Sequence, residues 1–339
     1  MQLELFDPLA ARGLARACHE MYLAGAPADD PLAPPMSERV FTGWLAHGWE
    51  EDTRETWLAR DSGSRLCGWY ALGLPARENR HRASLTLFVS PDARRRGIGT
   101  QLAGHAAARA DSDGRPVLAC EALAGSAAEA FFRALGGQPG IAEIRRVLRL
   151  AAVPDGRLAG LRAQAEQAAA GYSLLHWTGD VPQSQLAGVA AVNGEAFADM
   201  PHDPGYQPQR WDIERVRESG RRAAARGLRS HTVAARHDAT GELAGLTEMA
   251  IDPAHPRWGF QELTAVARAH RGHRLGLLIK VAMLELLRER EPQLETVLTG
   301  NAGSNRYMIA INEMLGFEVL DHARSWELDT AATRKRAQS

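Results

Sequence analysis

Lysine is almost missing from this chain: of its 40 basic residues only Lys280 and Lys335 are lysines. Alongside many alanines and glycines, this reads as GC-rich coding bias and carries no chemistry of its own. Cysteine is scarce too. Cys18, Cys67 and Cys120 are odd in number, far apart and without a CxxC pair. A disulfide framework or a zinc site is therefore not expected, and a reducing cytoplasm is. The histidines His202, His231, His255 and His273 show no HxxxH spacing, so no metal is expected either. Charge of one sign is also lacking: the net charge is -1 with 24% charged residues, so no broad basic surface points to nucleic acid. No apolar run is long enough to span a bilayer. Met1–Pro8 lacks the basic start and long apolar core of a signal peptide.

What the chain does have is length and a repeat. At 339 residues it is expected to form two domains, each able to bury its own core. Arg94-Arg95-Arg96-Gly97-Ile98-Gly99 follows the apolar run Leu85–Val89, and Arg271-Gly272-His273-Arg274-Leu275-Gly276 follows Leu263–Val266. Gly68 and Gly245, Arg94 and Arg271, and Gly99 and Gly276 are each 177 residues apart.

The periodicity predicts the same order of elements twice. Helices are expected over Pro8–Leu23 and Ser37–Trp49, with Trp44 in the core. Strands follow over Thr53–Arg60, Arg65–Leu74, Ala83–Val89 and Pro116–Cys120. Gly97–Ala110 and Ser126–Leu135 read as helices, the second stopped by Gly136-Gly137, and Ile144–Leu150 as the strand closing domain 1–152. The segment 153–171, with Pro154, Asp155 and Gly156, reads as a linker. Domain 172–330 repeats the cycle: strand Tyr172–Trp177, helices Gln185–Ala198 and Asp212–Arg226, strands near Ser230–Arg236, Leu243–Ile251 and Phe260–Ala267, a helix from Gly272, strand Thr296–Thr299, helix Asn305–Leu315 and a hairpin over Phe317–Leu328. Residues 331–339 read as a flexible tail.

A strand that ends in a loop of small residues leaves the first N–H groups of the next helix unpaired. With the helix dipole behind them, these groups bind a diphosphate. Glycines let the backbone approach, and the arginines add charge-assisted contacts. A solvated turn that binds nothing is the plainer alternative for one copy; repetition at fixed register argues against it.

The stretch Val89–Gly99, with Arg94-Arg95-Arg96-Gly97-Ile98-Gly99 at its end, resembles the acetyl-CoA motif of the GNAT superfamily of N-acetyltransferases, Arg/Gln-x-x-Gly-x-Gly/Ala. The second copy departs from it, with Arg274 where the first Gly belongs and Gly272 as a compensating glycine. Thr299-Gly300-Asn301-Ala302 and Asn305 to Phe317 resemble the family's later motif, as does Ala130–Gly137 in weaker form. The resemblance covers almost the whole chain. It implies an α/β (α+β) fold class, two consecutive GNAT folds, each a splayed mixed sheet flanked by helices. It also implies acetyl-CoA bound through Val89, Arg94, Arg95, Arg96, Gly97, Ile98, Gly99 and Thr100 in one half. In the other half Val266, Arg271, Gly272, His273, Arg274, Leu275 and Gly276, with Asn301 and Asn305, would bind it. An acceptor amine would then attack the thioester directly.

That attack needs a base for the amine proton and a donor for the oxyanion. Glu262 and Glu248 are the candidate bases, each about equally open to a surface ion-pair role. If strict alternation holds, Glu262 shares a face with Thr264 and Val266. At the aligned positions the first half has Ala71 and Leu85; Cys120 there reads as a small buried residue. The family's tyrosine acid falls on Asn312 and Phe132, neither an acid, and Tyr307 is an uncertain substitute. Met200–Pro204 is a candidate for shaping the acceptor pocket, or a rigid loop. Transfer is expected in the C-terminal half, with a small-molecule amine as substrate, an antibiotic-pathway intermediate among the candidates. A mycothiol synthase-like acetyltransferase and a non-catalytic acetyl-CoA sensor stand as alternatives.

Overall fold

The computed structural model describes residues 1–48, 52–154 and 156–338; Trp49, in the second predicted helix, and Asp155 lie outside the described residues. In chain order the elements are β1 (Gln2–Phe6), α1 (Arg12–Asp29), α2 (Glu38–His47), β2 (Asp52–Arg60), β3 (Leu66–Pro75), β4 (Arg82–Val89), α3 (Ile98–Ser112), β5 (Val117–Leu123), α4 (Ala127–Ala134) and β6 (Gln138–Arg149). They continue with α5 (Arg157–Ala168), β7 (Tyr172–Thr178), α6 (Leu186–Asp199), α7 (Ile213–Arg226), β8 (Arg229–His237), β9 (Leu243–Ile251), β10 (Trp258–Val266), α8 (Leu275–Arg290), β11 (Thr296–Ala302), α9 (Arg306–Leu315), β12 (Glu318–Asp329) and α10 (Thr330–Gln338). Helix starts follow capping chemistry. The side chains of Ser37, Ser126 and Asp212 accept from the backbone N–H three residues on, at 3.4, 3.1 and 2.7 Å, satisfying donors the first turn leaves free.

Two compact units result. Unit 1 is Met1–Ala142, Asp203–Gln207 and His322–Ser339; unit 2 is Glu143–His202 and Pro208–Asp321. In unit 1 the strand order is β1-β2-β3-β4-β5-β12, and in unit 2 β7-β8-β9-β10-β11-β6. Within each, the fourth and fifth strands run parallel and all other neighbours antiparallel. The fold is therefore the expected splayed mixed α/β sheet, formed twice.

The sixth strands are exchanged. The strand after α4, expected to close the first half, bonds β11 of unit 2, with Arg149 opposite Thr296 and Glu143 opposite Ala302. The strand after α9 bonds β5 of unit 1, from Ala323 opposite Leu123 to Asp329 opposite Val117. Each sixth strand thus sits in the unit opposite to its place in sequence, and β12 is one strand where a hairpin was expected. The segment read as a linker is also structural: Val153, Leu158, Ala165 and Ala169 belong to the core of unit 2. The tail forms α10, where Thr330 and Thr333 are buried and the Ala337 methyl lies against Gly104 of α3.

Each unit has a core on both faces of its sheet. In unit 1, α3 and α4 cover Tyr70, Leu72, Leu118 and Trp326, while α1 and α2 cover Leu58, Trp69 and Ala71 with Phe41, Trp44 and Leu45. Trp44 is core, as the helical spacing implies. In unit 2, α5 and α8 cover Val233, Met249 and Val297, and α6 and α7 cover Ala234, Leu246 and Ala265. Among the described residues no helix is long and apolar enough to cross a membrane.

Candidate active site

In both units the parallel pair separates partway along. The β4–β5 pairing stops at Ser84 and Ala119, and β10–β11 at Gln261 and Thr299. Beyond those points Leu85–Val89 and Thr264–Val266 keep a partner on one side only. A row of free N–H and C=O groups then faces a groove, an edge that an extended amide-bearing ligand can pair with.

The groove ends at the Arg/Gly turn, and the two turns share one construction. Arg94 Nε donates to Val89 O at 3.1 Å and its Nη1 to Asp29 at 2.9 Å. Arg271 Nε donates to Val266 O at 3.2 Å, and its Nη2 to Asp199. These two arginines tie the turn to the strand end and to a carboxylate at the end of α1 or α6. Arg268 also donates to Asp199, and the two guanidinium groups hold that carboxyl down at about 2. Asp29 and Asp199 had no signal in the sequence, since they stand at unequal distances of 65 and 72 residues from their arginines.

Two left-handed residues shape each turn. In unit 1 they are Arg95 (φ 63°) and Gly97 (φ 79°); in unit 2, Gly272 (φ 91°) and Arg274 (φ 53°). Each copy therefore has glycine at one of the two positions and arginine at the other, in opposite order. An arginine held at positive φ costs about 1 kcal/mol. Arg274→Gly is accordingly expected to raise stability by about that much in chemical denaturation; an unchanged or lower midpoint contradicts this strain.

Of the residues singled out in the sequence, Arg95, Arg96, Gly97, Arg271, Gly272, His273 and Arg274 are exposed on these turns, while Ile98, Gly99 and Thr100 are half-buried in the first turn of α3. Leu275 is 1% exposed, so only its backbone faces the turn. A Cβ on Gly99 would meet Phe131 at 3.4 Å and one on Gly276 would meet Ile311 at 3.1 Å; these glycines let another helix approach. Asn305 caps α9, accepting from Met308 N at 3.2 Å. Asn301, at the end of β11, accepts from Asn312 Nδ2 at 2.7 Å. Tyr307 is 89% exposed, which removes it as a proton donor in the groove. Asp203 of the Met200–Pro204 loop is engaged within unit 1, accepting from Ile141 N at 2.7 Å and Ser325 Oγ at 3.1 Å.

The carboxylates separate the two units. In β10 the register shifts between Gln261 and Thr264, so that Glu262 and Leu263 both stand opposite Glu248. This bulge breaks the alternation that would have put Glu262 on the face of Thr264. Thr264 bonds Thr247 Oγ1 at 2.7 Å, and Gln261 Nε2 donates to the same hydroxyl at 2.9 Å. Glu262 instead interacts electrostatically with Arg226 of α7 and with Glu248. Burial pushes Glu248 up to about 7, and the Glu262 charge adds to the rise. Burial also raises Glu262, with the Arg226 guanidinium opposing it. Glu262 is exposed to solvent. In unit 1 the β3–β4 register is unbroken. Ala71 there lies among Phe41, Trp44 and Trp69, and Leu85 is turned into the core under α3. Cys120 is buried, which raises its thiol.

Residues 15–136 match the sequence profile of the Acetyltransferase (GNAT) family. Among solved structures the chain is similar to the tandem GNAT protein from the clavulanic acid biosynthesis pathway, at 28% identity over 97% of this chain and 99% of that one, with a TM-score of 0.79. It shares its fold with a GCN5-related N-acetyltransferase from Sphaerobacter thermophilus, at 16% identity over 97% and 95% of the chains and a TM-score of 0.65. No curated protein matches the sequence.

Proposed function

We propose that this chain, an N-acetyltransferase of two GNAT folds that uses acetyl-CoA, transfers the acetyl group in unit 2 to the amine of a small metabolite. The observation that carries this reading is the bulge that sets Glu262 of β10 against Glu248 of β9 just where β10 parts from β11; burial there pushes Glu248 up to about 7. A base poised near neutrality takes a proton most effectively. Unit 1 has Ala71 at the matching position, enclosed by aromatic side chains, so its groove has no base and no room for an acceptor on that face. Its role in this reading is to bind acetyl-CoA without discharging it.

In both units the carrier's diphosphate would lie on the free N–H groups at the start of α3 or α8, and its amide-bearing arm along Leu85–Val89 or Glu262–Val266. In unit 2 Glu248 would take the amine proton, while Glu262, beside Arg226, would hold the incoming cationic amine near it. A strand N–H near Val266 is the donor available to the oxyanion.

The likeness to the clavulanic acid pathway protein supports an antibiotic-pathway intermediate as acceptor. Incubation with acetyl-CoA and a panel of small amines, amino-bearing bicyclic β-lactams included, tests the reading. Amine-dependent release of free CoA with a matching N-acetylated product is expected. Acetyl-CoA binding without any such release would instead identify a non-catalytic sensor, the reading that the missing side-chain acid at Asn312 favours.

A further inference from the structure

Lys280, on α8, is 2% exposed and among the described residues forms no ion pair with a carboxylate. Its Nζ donates to Asn312 Oδ1 at 2.8 Å and lies 5.1 Å from the centre of the Phe317 ring. Asn312 is itself fully buried, and its Nδ2 donates to Asn301 Oδ1 at 2.7 Å. Asn301 is only half-buried and stands at the end of β11, on the wall of the groove.

The direction of this chain follows from its inner end. A protonated lysine has donors and no acceptor. Asn312 must therefore turn its oxygen to Lys280 and its NH2 to Asn301. Asn301 must then accept with its oxygen, which leaves its own NH2 for the groove. Hydrogen bonds linked in one direction also strengthen one another where the dielectric is low. Position 103 of unit 1, 177 residues earlier, is Ala103 in an apolar core, so unit 1 has no counterpart of Lys280.

We propose that Lys280 is a positioning residue whose donor-only end polarises the Asn312–Asn301 chain, so that the Asn301 amide N–H donates to the sulfur departing during acetyl transfer in unit 2. The inference rests on the reading of unit 2 as the transfer site. In the step concerned, the amine nitrogen bonds the acetyl carbonyl carbon and gives its proton to a carboxylate. The C–S bond then breaks with its electron pair left on sulfur. The Asn301 N–H holds that thiolate until it takes a proton from solvent. Burial lowers Lys280 to about 7, so the chain is polarised in this direction while Lys280 keeps its proton, and the effect on kcat and on the thiol fades as pH rises above that value.

The test compares wild type, Lys280→Met and Asn301→Ala by melting temperature, acetyl-CoA affinity, kcat, and thiolate absorbance of bound CoA across a pH series. Lys280→Met keeps an unbranched side chain in the buried site; Asn301→Ala alters only a half-buried strand end, so it should fold even if the first variant does not. Both are expected to melt near wild type, and Lys280→Met, whose side chain touches no ligand, to bind acetyl-CoA within twofold of it. The kcat should fall about tenfold in Lys280→Met and about a hundredfold in Asn301→Ala, the size expected when one preorganised donor is lost. The thiol of CoA held in unit 2 should become about tenfold harder to deprotonate in both. Unchanged thiol titration and kcat overturn the proposal. So does a loss of affinity and melting temperature that accounts for the fall in kcat. If wild type acetylates no amine, the reading of unit 2 fails, while the thiol titration, which needs no turnover, still decides the role of Lys280.

Discussion

Replacing Glu248 by Gln is expected to lower kcat by a hundredfold or more while leaving acetyl-CoA affinity unchanged, the loss that removal of a general base produces. Glu262→Gln should act in the same direction, with part of its effect in KM if its carboxylate receives the cationic amine as proposed. In wild type the proposed base works only when ionised, so kcat/KM for a given amine should rise as pH approaches about 7, the value to which burial pushes Glu248, and flatten or fall above it as Lys280 loses its proton. Stability should respond with the opposite sign. The folded pKa of Glu248 stands above its unfolded value of about 4.3. The folded chain therefore binds the extra proton between those two pH values, and the stability this provides at low pH is lost as pH rises toward 7. Glu248→Gln removes a buried charge and should be more stable than wild type above pH 7, by roughly 3 kcal/mol. A pH series of rate and of thermal melting for both proteins checks the pair of effects. Wild-type rates in both variants would end the assignment of the base.

Removal of residues 322–339 should unfold unit 1 and spare unit 2. The deletion takes away the strand bonded to β5 along Val117–Leu123 and the helix that rests on α3. It also removes Trp326 and Leu328, each 1% exposed. Loss of a buried Trp side chain alone costs about 3–5 kcal/mol, and an entire domain is stable by only about 5–15 kcal/mol. The bare edge of β5 would in addition invite association. Unit 2, which ends at Asp321 and holds the part of β6 that pairs β11, Glu143–Arg149, keeps all six of its strands. Hydrogen exchange is expected to lose protection in β3, β4 and β5 while β9, β10 and α8 stay protected. Protection retained in β5 after the deletion would contradict the exchanged-strand description. Trp326→Ala is the milder form of the same test.

Much of this was legible in the sequence because it is written locally. Period-two and helical patterns located nearly all strands and helices, and the constant spacing of Gly68 and Gly245 and of Arg94 and Arg271 marked the repeat. Gly68 and Gly245 are fixed for one reason: a Cβ would stand 2.8 Å from Phe88 O in one copy and 2.7 Å from Ala265 O in the other. The exchanged strands were not legible, since the residues of a strand state which face is buried and not which neighbour it pairs with. The bulge at Glu262 was hidden as well. It adds a residue to β10 without disturbing the 177-residue interval, so alignment set Glu262 against Leu85, which points to the opposite face of its sheet. Lys280 drew notice in the sequence only as one of two lysines, read as coding bias, and its contact with Asn312 is what singles it out.

Native mass spectrometry of the intact chain with saturating acetyl-CoA, run beside an amine-transfer assay, tests the central claim most directly. The N-cap positions of α3 and α8 are Gly97 and Arg274, and a carboxylate placed there competes with a diphosphate for the first-turn N–H groups. Two acetyl-CoA molecules per wild-type chain are predicted, and one in each of Gly97→Asp and Arg274→Asp, with transfer abolished in Arg274→Asp alone. A wild-type chain that takes up none, or transfer that survives Arg274→Asp and disappears in Gly97→Asp, would contradict it.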